Sequence, residues 1–177
     1  MAHQLHHIGF AAACGDEPAA PRGDERVGAV LHWASAFGEG LAMLAAAGSP
    51  AVHPHAADDA ETRGRWDRDV ANAPADLETV QRFFFDLLAN RFPSADSAQS
   101  VAMSFLGVQR PWYTVGYVMA STIERVRVRA TLVATVCDSR QFFAAYNDAA
   151  RAPNAATPAS ATLPLWSDSL LARLASP

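Results

Sequence analysis

Between Val27 and Leu44 the apolar residues recur every three or four positions: Val27, Val30, Leu31, Ala34, Phe37, Leu41 and Leu44. That spacing puts them on one face of an α-helix and does not fit a strand, whose faces alternate at every residue. Gly48, Ser49 and Pro50 then stop the helix in the order a glycine C-cap followed by proline predicts. A helix over 27–48 with so broad an apolar face must bury it against other elements. Strong helix formers dominate the remainder, alanine above all, and strand-like alternation is scarce. The expected fold class is mainly α. With 177 residues, half of them hydrophobic, the chain is long enough to bury a sizeable core.

The same reading places a first helix over His3–Cys14 and a Gly/Pro/Asp-rich loop over 15–26. After the 27–48 helix, 49–65 reads as loop. A third helix follows over Asp76–Asn90, with Asp76 as N-cap and Asn90 near its C-terminal end, and then a polar connection to Gln99. A fourth runs from Trp112 to Arg125, with Pro111 where a first turn tolerates it. Residues 126–138 alternate enough for a strand, though helix is preferred, and 139–152 are helical with Ser139 as cap. The expected division is a helical domain over 1–152 and a Pro/Ala-rich tail with a short amphipathic helix over 153–177.

The charge is slightly negative, with fourteen arginines and no lysine, which reads as GC-rich coding bias. No basic run suggests nucleic acid. No stretch approaches the roughly 20 apolar residues of a bilayer span, and no signal peptide is evident. Cys14 and Cys137 have no short spacing, so they resemble neither a zinc pair nor a disulfide framework; a single bridge stays open.

The chemistry-bearing stretch is HQLHH, residues 3–7. His3 and His7 are four apart, so on a helix both imidazoles can reach one ion. In H-E-x-x-H the glutamate beside the first histidine is the general base; here Gln4 stands there. Zinc in a catalytic site takes three protein ligands and leaves one position open. The best third candidate is Glu39, in FGEGLA, because a charge on so apolar a helix is costly unless paired or ligating. Gly38 and Gly40 beside it make sense where another helix or an ion comes close. The bland readings are chance histidines and a Glu39 paired with an arginine. Tyr113 and Tyr117, four apart on the fourth helix, are candidates for hydrogen-bonding an oxyanion, Tyr113 the better placed. Their bland reading is core aromatics, as for Trp66; His53 and His55 read as an exposed loop.

The stretches HQLHHIGF, FGEGLAMLAAAG, RPWYTVGYVMASTIER and CDSRQFFAAYNDAA resemble a family of zinc-dependent peptidases of the gluzincin type, catalogued as a domain of unknown function. The resemblance runs to about residue 150 and omits the tail. It implies a helical zincin-like fold, Zn2+ as cofactor, a peptide or protein substrate, His3, His7 and Glu39 as ligands, and position 4 as the base. Two departures follow. The segment that such domains carry before the metal helix is missing, so the expectation is that further chain precedes Met1; compartment turns on this, cytoplasmic if it does not and exported if it does. Gln4 has no basic site near neutral pH, so the expected product is a zinc-binding protein with impaired or absent peptidase turnover. The alternative is a non-catalytic helical module that binds a peptide or partner.

Overall fold

The computed structural model describes residue 14 and residues 24–107, 110–156 and 162–175. All regular elements among them are helices: α1 (Glu25–Ala34), a 3-10 turn (Ser35–Phe37), α2 (Gly38–Ala47), α3 (Ala60–Ala71), α4 (Ala73–Leu88), α5 (Ala95–Ser104), α6 (Pro111–Val126), α7 (Arg129–Thr135), α8 (Ser139–Asn154) and α9 (Asp168–Ala175). The mainly α expectation therefore holds. His3, Gln4 and His7 lie outside the described residues.

Helix α6 is the axis of the fold, contacted by α2, α3, α4, α7 and α8. Its sequence explains the position. Trp112, Thr114, Val115, Gly116, Tyr117, Met119, Ala120, Ser121, Thr122 and Ile123 are buried, which leaves almost no solvent face. A helix apolar all round belongs in the middle of a core. Around its N-terminal half sits an aromatic cluster. Phe37 meets Trp112 at 5.0 Å and Phe143 at 5.9 Å between ring centroids, and Trp166 stacks on Phe143 at 4.6 Å. Each such pair adds about 0.5–1.5 kcal/mol beyond the area it buries.

The 27–48 expectation is met as one run broken by the 3-10 turn. Gly48 ends it with φ 85°, a left-handed conformation that favours glycine. Together α1, the turn and α2 make 23 residues, long and apolar enough to cross a membrane by length and composition. The sequence pattern alone predicts no such stretch. Val30, Ala34, Phe37 and Leu44 of this run are buried in the core.

Two helices fall where loop was expected. Helix α3 occupies 60–71, started by Asp59, whose carboxylate accepts from the Thr62 amide at 2.7 Å. It buries only Trp66, so no apolar repeat announces it. Helix α5 replaces the polar connection to Gln99. Ser94 and Ser97 form a reciprocal capping box, and only Ala98 and Ala102 are buried. Two caps also differ. Asp138, not Ser139, caps α8 by accepting from the Arg140 amide at 2.9 Å. Helix α4 begins at Ala73, so Asp76 is inside it. Its carboxylate accepts from Thr114 Oγ1 at 3.1 Å and Asn72 Nδ2 at 2.9 Å. Residues 126–138 resolve to α7, with no strand.

The C-terminal residues are fastened to α8 by two asparagines acting as peptide mimics. Asn147 accepts from the Trp166 amide at 3.0 Å and donates to its carbonyl at 2.8 Å. Asn154 does the same for Leu163, at 2.7 and 2.9 Å. Trp166, Leu170 and Leu174 are buried in the same core as the rest. The boundary expected at residue 153 falls inside α8.

Candidate metal centre

Helices α2 and α6 lie side by side in parallel, and glycine sets their distance. A Cβ on Gly40 would stand 2.1 Å from the Tyr117 amide nitrogen and 2.4 Å from the Tyr113 carbonyl oxygen. A Cβ on Gly116 would stand 2.5 Å from the Phe37 carbonyl oxygen. Backbone therefore meets backbone, and neither position admits alanine without separating the helices. Gly38 is different: among the described residues a Cβ there meets nothing within 4 Å. Of the two glycines flanking Glu39, one is required by packing. At the far end, Arg125 donates to the Pro50 carbonyl at 2.7 Å and Arg129 to the Gly48 carbonyl at 2.6 Å. These cations neutralise the negative end of α2.

This close approach brings Glu39 and Tyr113 together. Glu39 sits in the first turn of α2, half-buried. The half-buried Tyr113, in the first turn of α6, donates its phenol hydrogen to that carboxylate. Burial, then the hydrogen bond and charge of Glu39, push the Tyr113 phenol up from 10.0 to about 12. It is a neutral donor across the physiological range.

Tyr117, one turn further on, has other neighbours. It is buried edge-on against Trp66, with ring centroids 5.1 Å apart. It forms part of the wall of a groove of about 890 Å³ that runs down the other side of α6 past His53, Asp67, Ser121 and Arg125. His53 Nδ1 accepts from the His55 amide at 3.0 Å, so the ring proton lies on Nε2, which donates to Asp67 at 3.1 Å. His55 pairs with Asp58 at 2.7 Å and lies against Trp66. These two histidines are thus tied into the loop before α3, as half-buried residues and not the exposed ones expected.

Among the described residues no group of three His, Cys, Asp or Glu side chains is arranged to hold a metal. Glu39 is consequently at most one ligand of a set whose others come from elsewhere. Cys14 and Cys137 are joined in a disulfide, which ties residue 14 to the corner between α7 and α8. The single bridge left open by the sequence is thus formed, between cysteines 123 residues apart. Val136 and Ser139 of that corner share a small crevice with Ser35, Gly38 and Leu41. Cys14 is thereby held near the start of α2, where Glu39 stands. Two imidazoles and a carboxylate are a donor set that suits zinc. By that donor chemistry the residues present fit the ion.

The model of a family described as "Putative zinc dependent peptidase (DUF5700)" matches residues 1–155. The chain belongs to this family. The matched span contains the histidine stretch, Glu39, both tyrosines and the whole of α6. No curated protein and no solved structure matches.

Proposed function

We propose that this member of the zinc-dependent peptidase family binds Zn2+ through His3, His7 and Glu39, and that Gln4 leaves it impaired or inactive as a peptidase. The observation that carries the reading is the held carboxylate: Glu39, in the first turn of α2, is held by a phenol from a second helix. Metal ligands are commonly oriented by such outer partners. His3 and His7 would hold the ion through ring nitrogens from one helix face. When bound, zinc polarises a peptide carbonyl and lowers the pKa of water enough for attack near neutral pH.

The remaining roles follow from the side chains. Gln4 can orient a water through its carboxamide but has no site to take the proton. A missing general base costs roughly 10²–10⁴-fold in rate. Tyr113 has one hydroxyl hydrogen, and Glu39 accepts it. Donation to a developing oxyanion would require that hydrogen to leave Glu39. We therefore assign Tyr113 first to positioning Glu39 and second to the oxyanion, with Tyr117 forming part of the adjoining groove wall where a peptide substrate would lie.

The experiment is the reversion Gln4→Glu. With zinc bound, the variant is expected to hydrolyse members of a peptide library, at least 10²-fold faster than the parent, and to stop on chelation. Zinc-loaded Gln4→Glu protein that cleaves nothing would leave the non-catalytic peptide-binding module as the better reading.

A further inference from the structure

The groove beside α6 has about 890 Å³ of space, within the range of ligand sites. Tyr117, Ser121 and Arg125 line it from α6. They are four apart, so they form one ridge along the helix. The ridge changes chemistry along its length. At one end the Tyr117 ring lies edge-on to Trp66, with centroids 5.1 Å apart, and makes an apolar shelf. One turn on, Ser121 is buried, and among the described residues its hydroxyl has no hydrogen-bond partner. One turn further, Arg125 is exposed. Its Nη2 donates to the Pro50 carbonyl at 2.7 Å, which leaves Nε and Nη1 without a carboxylate among the described residues. The carboxylate that lines the groove, Asp67, is already engaged by His53 Nε2 at 3.1 Å. The groove thus has an apolar shelf, an unmet hydroxyl and an uncompensated positive charge, in that order.

We propose that this groove binds the free C-terminus of an apolar peptide, with the carboxylate on Arg125, the last peptide groups on Ser121 and an upstream apolar side chain against Tyr117 and Trp66. The inference rests on the peptide part of the reading above and uses no residue of the proposed zinc site. Its spacing fits. From Tyr117 to Arg125 the helix rises about 12 Å, which an extended chain covers in roughly four residues. Arginine suits a terminal carboxylate because its planar fork can donate two parallel hydrogen bonds. Ser121 decides between a peptide and a fatty acid. A fatty acid has the same carboxylate and apolar body, but it would lay methylenes against the hydroxyl and leave it unmet. A peptide group answers it as donor or acceptor, because a serine hydroxyl does both and turns to suit. Upstream residues of the bound peptide then run toward the N-terminal end of α6, where Tyr113 holds Glu39.

The test is fluorescence anisotropy on the whole chain, with an N-terminally labelled peptide of alanine, valine and leucine as free acid and as C-terminal amide. The free acid is expected to bind the parent about tenfold more tightly than the amide at low salt, the scale of hydrogen bonds to a charged group. Added salt should narrow the gap. Arg125→Gln should bring the two forms level, and Arg125→Lys should keep part of the preference. The parent's own ratio decides even where an Arg125 variant fails to fold, since Arg125 also holds Pro50. Ser121→Ala, which leaves the charge in place, should weaken both forms about fivefold and keep their ratio. Lauric acid, as competitor, separates the two sources of a carboxylate and is expected to displace the peptide poorly. Free acid and amide within about twofold of each other on the parent, or full displacement by lauric acid at equal concentration, overturns the inference. A parent that holds zinc and binds neither form also overturns it, and leaves the zinc reading standing. Preference for the free acid in a parent without zinc supports the groove assignment and removes the zinc site.

Discussion

Tyr113 and Tyr117 are one turn apart on the same helix, and in the sequence they look interchangeable. Their surroundings separate them. Tyr113 meets α2 at the glycine crossing and gives its hydrogen to Glu39. Tyr117 faces Trp66 and the groove on the α3 side. A helix fixes which residues share a face, but the neighbouring elements decide what each of them touches. Here the neighbours make one tyrosine a partner of the candidate metal ligand and the other part of a groove wall.

The crossing itself offers the largest break. Gly40→Ala or Gly116→Ala drives a methyl into backbone within 2.5 Å. Overpacking of this kind costs about 3 kcal/mol, read as a lower denaturant midpoint. Since both glycines serve one contact, the double variant should lose less than the sum of the singles.

The two tyrosines can then be compared directly. Tyr113→Phe removes the hydrogen bond to Glu39 and should weaken zinc roughly tenfold or more. Tyr117→Phe should leave zinc affinity unchanged. Were Tyr113 only an oxyanion donor, its phenylalanine variant would keep full zinc affinity and lose turnover alone, in the Gln4→Glu background.

Alkaline stability gives a smaller signal. Tyr113 is raised from 10.0 to about 12 in the fold, so its neutral form is favoured by folding. That contribution is full below pH 10 and is lost as the pH climbs from 10 to about 12. Tyr146, raised further by burial, should lose its own share in the same direction. Tyr113→Phe should therefore flatten part of the stability loss above pH 10, and one late-titrating phenol should vanish from the ultraviolet titration. A missing phenol that had titrated at the ordinary 10.0 would contradict the pairing with Glu39.

The smallest effect is expected in the groove. Ser121 is buried, and among the described residues its hydroxyl has no hydrogen-bond partner. Ser121→Ala should be neutral or stabilising by about 0.5 kcal/mol and should leave zinc affinity unchanged, as a groove position rather than a metal-side one. A clear destabilisation in denaturant would mean that the hydroxyl has a use the groove geometry does not show.

How much of this was legible in the sequence depended on how much each element buries. The helices over 27–48, 76–90, 112–125 and 139–152 were readable because large side chains repeat along one face: Val30, Phe37 and Leu44, or Phe142, Phe143 and Tyr146. Helices α3 and α5 were not, because one tryptophan or two alanines leave no repeat to read. Their caps, Asp59 with Thr62 and Ser94 with Ser97, were the available signal. The Cys14–Cys137 bridge and the asparagine clamps on Trp166 and Leu163 join residues distant in sequence, which local patterns do not encode. Glu39 stood out because its charge is costly on an apolar helix. Its partnership with Tyr113 became visible only once Gly40 and Gly116 had brought two helices together.

The central claim is that Glu39 holds zinc with His3 and His7. The most direct measurement is the metal content of the oxidised chain after dialysis against a weak chelator, beside Glu39→Gln, which keeps the size and removes the charge. The account predicts about one zinc per parent chain, as a three-ligand site holds, and almost none in the variant, with helical circular dichroism equal in the two. A parent without zinc, or a Glu39→Gln variant that retains it, would contradict the account.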